Sequence, residues 1–146
     1  MTRHENDLIV ILVSRLVSPF IMLFALYVIF HGHYSPGGGF QGGAMLAASL
    51  LLIRLAAGTE VAEFQFRKSW ALPLGALGVL IYFATGFTAI LLGGNFLDYS
   101  RLLIPGLSGA GLRSMGILIV EVGVGLAVMA ILVGIFDDLL GEDEDA

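Results

Sequence analysis

The chain has 146 residues, of which 58% are hydrophobic and 13% charged, with a mean hydropathy of +0.94. A soluble domain carries about 25% charged residues, so this chain could not cover its surface in water, and a soluble globular fold is excluded. The formal charge of −5 belongs to one end: Asp137, Asp138, Glu142, Asp143, Glu144 and Asp145 supply six of the twelve acids. The remainder is close to neutral, which removes any argument for nucleic acid as a partner. Cysteine is absent, excluding disulfides, thiolate metal sites and iron–sulfur ligation.

Apolar runs of about 20 residues are long enough to cross a hydrocarbon core of roughly 30 Å. Four such runs predict an all-α integral membrane protein, a single membrane domain with spans over about 8–30, 40–55, 71–92 and 115–136. The first run is too long for the apolar core of a cleavable signal, and Glu5 and Asp7 precede it, so it is expected to be a span. Arg15 lies within it, roughly 10 Å deep at 1.5 Å per residue. Its guanidinium is expected either to snorkel to the near headgroups or to pair with a neighbouring subunit.

Between the first two spans lies a glycine-rich hairpin, His31-Gly-His-Tyr-Ser-Pro-Gly-Gly-Gly-Phe-Gln-Gly-Gly43. Pro36 fixes φ, pushes Ser35 towards an extended conformation and suits the first turn of a helix. Gly37, Gly38, Gly39, Gly42 and Gly43 permit conformations closed to other residues and let another backbone or an ion come close. Phe40 and Gln41 are the only side chains among them. The second span is short, so its start is expected below the membrane surface, where irregular backbone survives only if buried in protein or lining a wet cavity.

A polar connection over 56–69 carries Glu60, Glu63, Arg67 and Lys68, and Trp70 then occupies an interfacial position. On the third span Gly75, Gly78, Tyr82, Gly86, Ala89 and Gly93 recur every three or four residues, a stripe that admits close approach of another helix. A longer loop, 93–114, contains Asp98, Arg101, Pro105 and Arg113. The fourth span carries Gly116, Gly123, Ala127, Ala130 and Gly134 on one face, and residues 137–146 are expected to be a solvated acidic tail. Gly75, Gly78, Gly86, Gly116, Gly123 and Gly134 are thus candidates for subunit interfaces, together with Arg15. Basic residues near span ends favour both termini on the cytoplasmic side and the hairpin outside.

Glu121 is the one acid inside a span, and an intramembrane carboxylate is by default a functional candidate. It points away from the small-residue face of its helix. Placed about 8 Å below the outer surface, it is too far from Arg15 for a direct bridge. His31, His33 and the free N–H groups at the start of the second span are its expected neighbours. The roles open to Glu121 are a proton or cation path, a subunit contact, or a protonated acid held by one hydrogen bond.

Several motifs fail on context. Gly37-Gly-Gly39-Phe-Gln-Gly42 matches G-x-G-x-x-G, but that fingerprint needs a preceding β-strand, and here a membrane helix precedes it. His31 and His33 cannot ligate one metal from a single helix face, and no haem pair or other cofactor site is expected. No nucleophile–base–acid set can be assembled, so the chain is not expected to be an enzyme.

The box from Gly32 to Gly43 resembles the signature of the MnhB (also MrpB) subunit of the Mrp/Mnh multisubunit cation/proton antiporters. Gly93-Gly-Asn-Phe-Leu-Asp98 and Glu121-Val-Gly-Val-Gly-Leu126 are similar to that family more loosely. The resemblance implies a non-catalytic subunit of a cell-membrane complex that exchanges Na⁺ for protons, with other antiporter subunits and lipid as its surroundings. It implies a need for this subunit in assembly and activity, and importance for Pro36, Phe40 and the glycines of the box. A homologous stretch also occurs in membrane hydrogenases, so a membrane anchor in a redox-driven complex is an alternative, as is a homo-oligomeric channel.

Overall fold

The computed structural model describes residues 3–32, 34 and 37–144; for residues 3–7 and 141–144 only the backbone is described. Among these residues all regular structure is helical. Long helices α1 (Arg3–His31), α2 (Gly39–Ala57), α4 (Ala71–Leu91) and α5 (Gly109–Glu144) are joined by the five-residue α3 (Thr59–Glu63) and two 3₁₀ turns, Lys68–Trp70 and Tyr99–Arg101. The four long helices are each long and apolar enough to span a membrane, where helices satisfy their own backbone hydrogen bonds.

The helices pack as a row in the order α1, α2, α5, α4, so that α2 and α5 are central. Residues small enough to let backbones touch make this row possible. A Cβ on Gly42 would lie 2.8 Å from the Ala25 carbonyl oxygen on α1, and one on Gly78 would lie 2.5 Å from the Gly123 carbonyl oxygen on α5. Ala47, Leu50, Phe66, Ala71, Ala130 and Val133 form the buried cluster where α2, α5 and the start of α4 meet. Ser18 on α1 donates its hydroxyl to the Ser49 carbonyl on α2 at 3.0 Å, a polar tie inside the bundle.

The outer surface is bulky and apolar. Leu8, Leu12, Leu16, Phe20 and Leu23 on α1 are all more than 60% exposed, which water would not tolerate over such an area. This is a multi-pass membrane protein.

Two ends differ from the sequence-based expectation. Helix α5 begins at Gly109, not 115, because hydropathy marks the hydrocarbon core while the helix itself continues outward through polar residues. At its other end the helix runs past Phe136, and Asp137 is buried at 9% exposure, not solvated with an acidic tail. The cause is a cation waiting for it on α2.

Candidate functional site

The turn into α2 requires glycine. Gly37 and Gly38 have φ of +142° and +145°, and the Gly38 ψ of −162° places it in a region that essentially only glycine occupies. Gly38 then caps a helix whose first turn holds no acid. The carboxylate that complements this helix end comes from α5. A Cβ on Gly38 would lie 2.6 and 2.8 Å from the two carboxylate oxygens of Glu121, and Oε2 also crowds Gly32. One residue on, a Cβ on Gly39 would meet the Glu121 carbonyl oxygen at 2.1 Å, and one on Gly43 would meet that of Gly125 at 2.5 Å.

Gly39 and Gly43 therefore let α2 lie directly on the backbone of α5, while Gly32 and Gly38 make room for the Glu121 carboxylate. Partial positive charge at the α2 N-terminus faces a carboxylate, the arrangement that a helix dipole favours. Oε2 is fully buried, while the residue as a whole is half-buried. Glu121, Val120, Val124 and residues Gly37, Gly38, Gly39, Phe40 and Gln41 line an open depression of about 380 Å³. Phe40 stands at its rim, 67% exposed.

His31 is exposed, stacked on Tyr27 with ring centroids 4.1 Å apart, and its Nδ1 lies 3.1 Å from the Tyr27 carbonyl, a bond that requires the Nδ1–H tautomer. His33 and Pro36 lie outside the described residues. Arg15 is exposed on α1 and has no ion pair among the described residues. Among the described residues no cluster could hold a metal ion.

The small-residue stripes make close contacts within the chain. Gly78 and Gly123 meet each other across the α4–α5 seam, Gly75 packs on Ile131, and Gly134 lies against Ala71. Gly86 and Gly116 are sockets for the 93–108 loop: Phe96 fills the first, Tyr99 and Leu102 the second. Within the chain, these subunit-interface candidates thus pack against its own helices and loop. Next to these sockets, Asp98 accepts from the Ser100 hydroxyl at 2.5 Å and its N–H at 3.2 Å, which holds its carboxyl below the ordinary range. Burial pushes the Tyr99 phenol up, with Tyr82 and Glu121 adding to the shift.

At the opposite end of the bundle lies a pair that sequence inspection missed. Arg54, in the last turn of α2, donates Nε to Asp137 Oδ1 at 2.7 Å, Nη2 to Oδ2 at 3.1 Å, and Nη2 to the Phe66 carbonyl at 2.7 Å. Both side chains are almost completely buried, and the guanidinium lies 5.9 Å from the Phe66 ring centroid. Beside them Lys68 pairs with Asp138 at 2.9 Å in a more exposed bridge. The sequence signal was the position of Arg54 inside an apolar run, one turn short of the α2 C-terminus.

Residues 9–134 match the family of domains related to the MnhB subunit of Na⁺/H⁺ antiporter. The chain is similar to the B-type Na⁺/H⁺ antiporter subunit of Alkalihalophilus pseudofirmus, 34% identical over 86% of this chain and 91% of that one. It is also similar to the B-type Na⁺/H⁺ antiporter subunit of Bacillus subtilis, 33% identical over 87% of this chain and 93% of that one. A match across nearly all of the four-helix unit, hairpin and Glu121 included, leaves one assignment: this chain belongs to the MnhB-related family of antiporter-subunit domains.

Proposed function

We propose that this chain is a non-catalytic membrane subunit of a multisubunit Na⁺/H⁺ antiporter, working in the cell membrane with other antiporter subunits around it. Both termini are cytoplasmic, on the side holding Arg3, Arg54, Arg67 and Lys68, and the glycine hairpin is external. Within the complex, Glu121 and the hairpin shape a hydrated approach for a cation or proton. One observation carries this role: Glu121 lines an open depression together with Gly37, Gly38, Gly39, Phe40 and Gln41. An intramembrane carboxylate that reaches a wet cavity is the usual form of an ion or proton relay.

The test has two parts. Tagged chain purified from native membranes in mild detergent should bring down several large hydrophobic antiporter-type subunits. Glu121→Gln and Glu121→Ala, assembled in that complex, should both shift the pH and Na⁺ profiles of exchange. Recovery of the chain alone rejects the subunit assignment, and two wild-type profiles reject Glu121 as part of the path.

A further inference from the structure

We propose that Arg54 and Asp137 act as a register lock between α2 and α5, fixing how far along α5 the glycine hairpin sits. This goes beyond the proposed role of Glu121 and rests on it only for its functional sense.

The two helices run parallel and nearly in step. Gly39 meets Glu121, Gly43 meets Gly125 and Arg54 meets Asp137, offsets of 82, 82 and 83 residues. Along the half nearest the hairpin the α2 side of the seam is smooth, with Gly39, Gly43 and Ala47 offering no ridge to key into a groove, and Leu50 is its first bulky buried residue. Such a seam allows close contact but resists sliding weakly, and a slip of one residue displaces a helix by about 1.5 Å. A two-pronged guanidinium–carboxylate pair tolerates no such slip. Stability alone is a poor explanation of the pair, since Arg54 Nη1 is buried without a hydrogen-bond partner among the described residues and an orphaned donor is costly. Setting register is the best-attested use of a buried polar pair. The lock sits at the far end of α2 from Glu121, and a rigid helix carries its register to the hairpin. Arg54 and Asp137 are therefore positioning residues.

The deciding variant is Arg54→Met with Asp137→Leu, which replaces the pair by apolar groups and so should fold and assemble. Ala47→Cys and Ala130→Cys, both buried in the seam cluster, report register. The chain has no cysteine, so these are its only thiols. In native membranes the two cysteines should cross-link in an otherwise unaltered chain. With the apolar pair the yield should fall about tenfold, the size set by polar contacts between membrane helices. The pH profile of exchange should also move as Glu121→Gln moves it, and Arg54→Lys, which keeps a cation opposite Asp137, should cross-link better than Arg54→Gln. Unchanged cross-linking in the apolar pair overturns the lock, because packing alone would then set the register. Reduced cross-linking alongside an inert Glu121→Gln keeps the lock and rejects the role of Glu121.

Discussion

Helix α2 is wedged, and Gly39→Ala measures how tightly. The added methyl would lie 2.1 Å from the Glu121 carbonyl oxygen and 3.0 Å from its Cα. Ordinary contact begins at 3.4 Å, so α2 and α5 must part by more than 1 Å at that point. The atoms met are backbone, which cannot swing aside as a side-chain tip can. Retreat from α5 is blocked on the other face, where Gly42 already touches the Ala25 carbonyl and Ile29 on α1. We therefore expect a cost at the upper end of overpacking, about 3 kcal/mol, partly offset by the gain of about 1 kcal/mol for alanine over glycine in a helix. The matched control is Gly111→Ala on α5, where the nearest atom is 3.6 Å away and the helix-propensity gain should appear alone. Thermal unfolding of the purified complex and the amount recovered from membranes read both variants. A Gly39→Ala complex that unfolds and accumulates as the parent does would refute the wedge.

Other glycines should divide by what their methyl meets. Gly78→Ala should cost about 2 kcal/mol or more, as overpacking against backbone at Gly123 and Ala127 demands. Gly86→Ala meets only the ring edge of the partly exposed Phe96 and should cost under about 1 kcal/mol, with Phe96→Leu recovering most of it. Arg54→Met or Asp137→Leu alone should each destabilise by about 3–5 kcal/mol through the charge left behind, while the double substitution returns most of the loss in thermal unfolding. The loop has a pH signature with a definite sign. Asp98 is depressed, so its contribution is complete above the ordinary carboxylate value of about 3.9 and disappears only as pH falls below it. Tyr99 is raised, so its contribution is complete below a phenol value of about 10 and is lost as pH rises further. Limited proteolysis of the loop should therefore be flat between these limits, and Tyr99→Phe should abolish the alkaline increase; loosening near neutrality would contradict both.

The sequence shows that faces are smooth but not what they meet. Hydropathy alone separates the four membrane helices, and three- and four-residue spacing identifies the glycine face of α4 and its counterpart on α5. The same helical geometry turns Glu121 away from that face, and the fold uses both sides of α5 accordingly, Gly123 towards α4 and Glu121 towards the hairpin. Whether a smooth face receives a helix of its own chain or of a neighbour depends on the order of packing, which periodicity does not encode. The Arg54–Asp137 pair was hidden for a related reason. Each residue stands near the end of an apolar run, where a charge usually means headgroups and water. Their pairing follows only from the axial step between α2 and α5, which sequence alone does not give, and it lies about 24 Å along the helices from the contact at Glu121 at roughly 1.5 Å per residue.

Among the bulky side chains that the chain exposes, Phe40 is the most informative. It projects from the first turn of α2 at 67% exposure, close to glycines that are buried before and after it in the chain. Truncating it opens no cavity inside the chain, so Phe40→Ala should leave unfolding of the isolated chain unchanged, in contrast to Gly39→Ala one position earlier. A loss of antiport or of complex recovery in Phe40→Ala must then come from what the ring meets outside, either a neighbouring subunit or the substance that fills the depression next to Glu121. Normal recovery with lost exchange points to the depression, and lost recovery points to the neighbour. Full recovery with full exchange would remove Phe40 from the functional site and leave the hairpin glycines as a packing device alone.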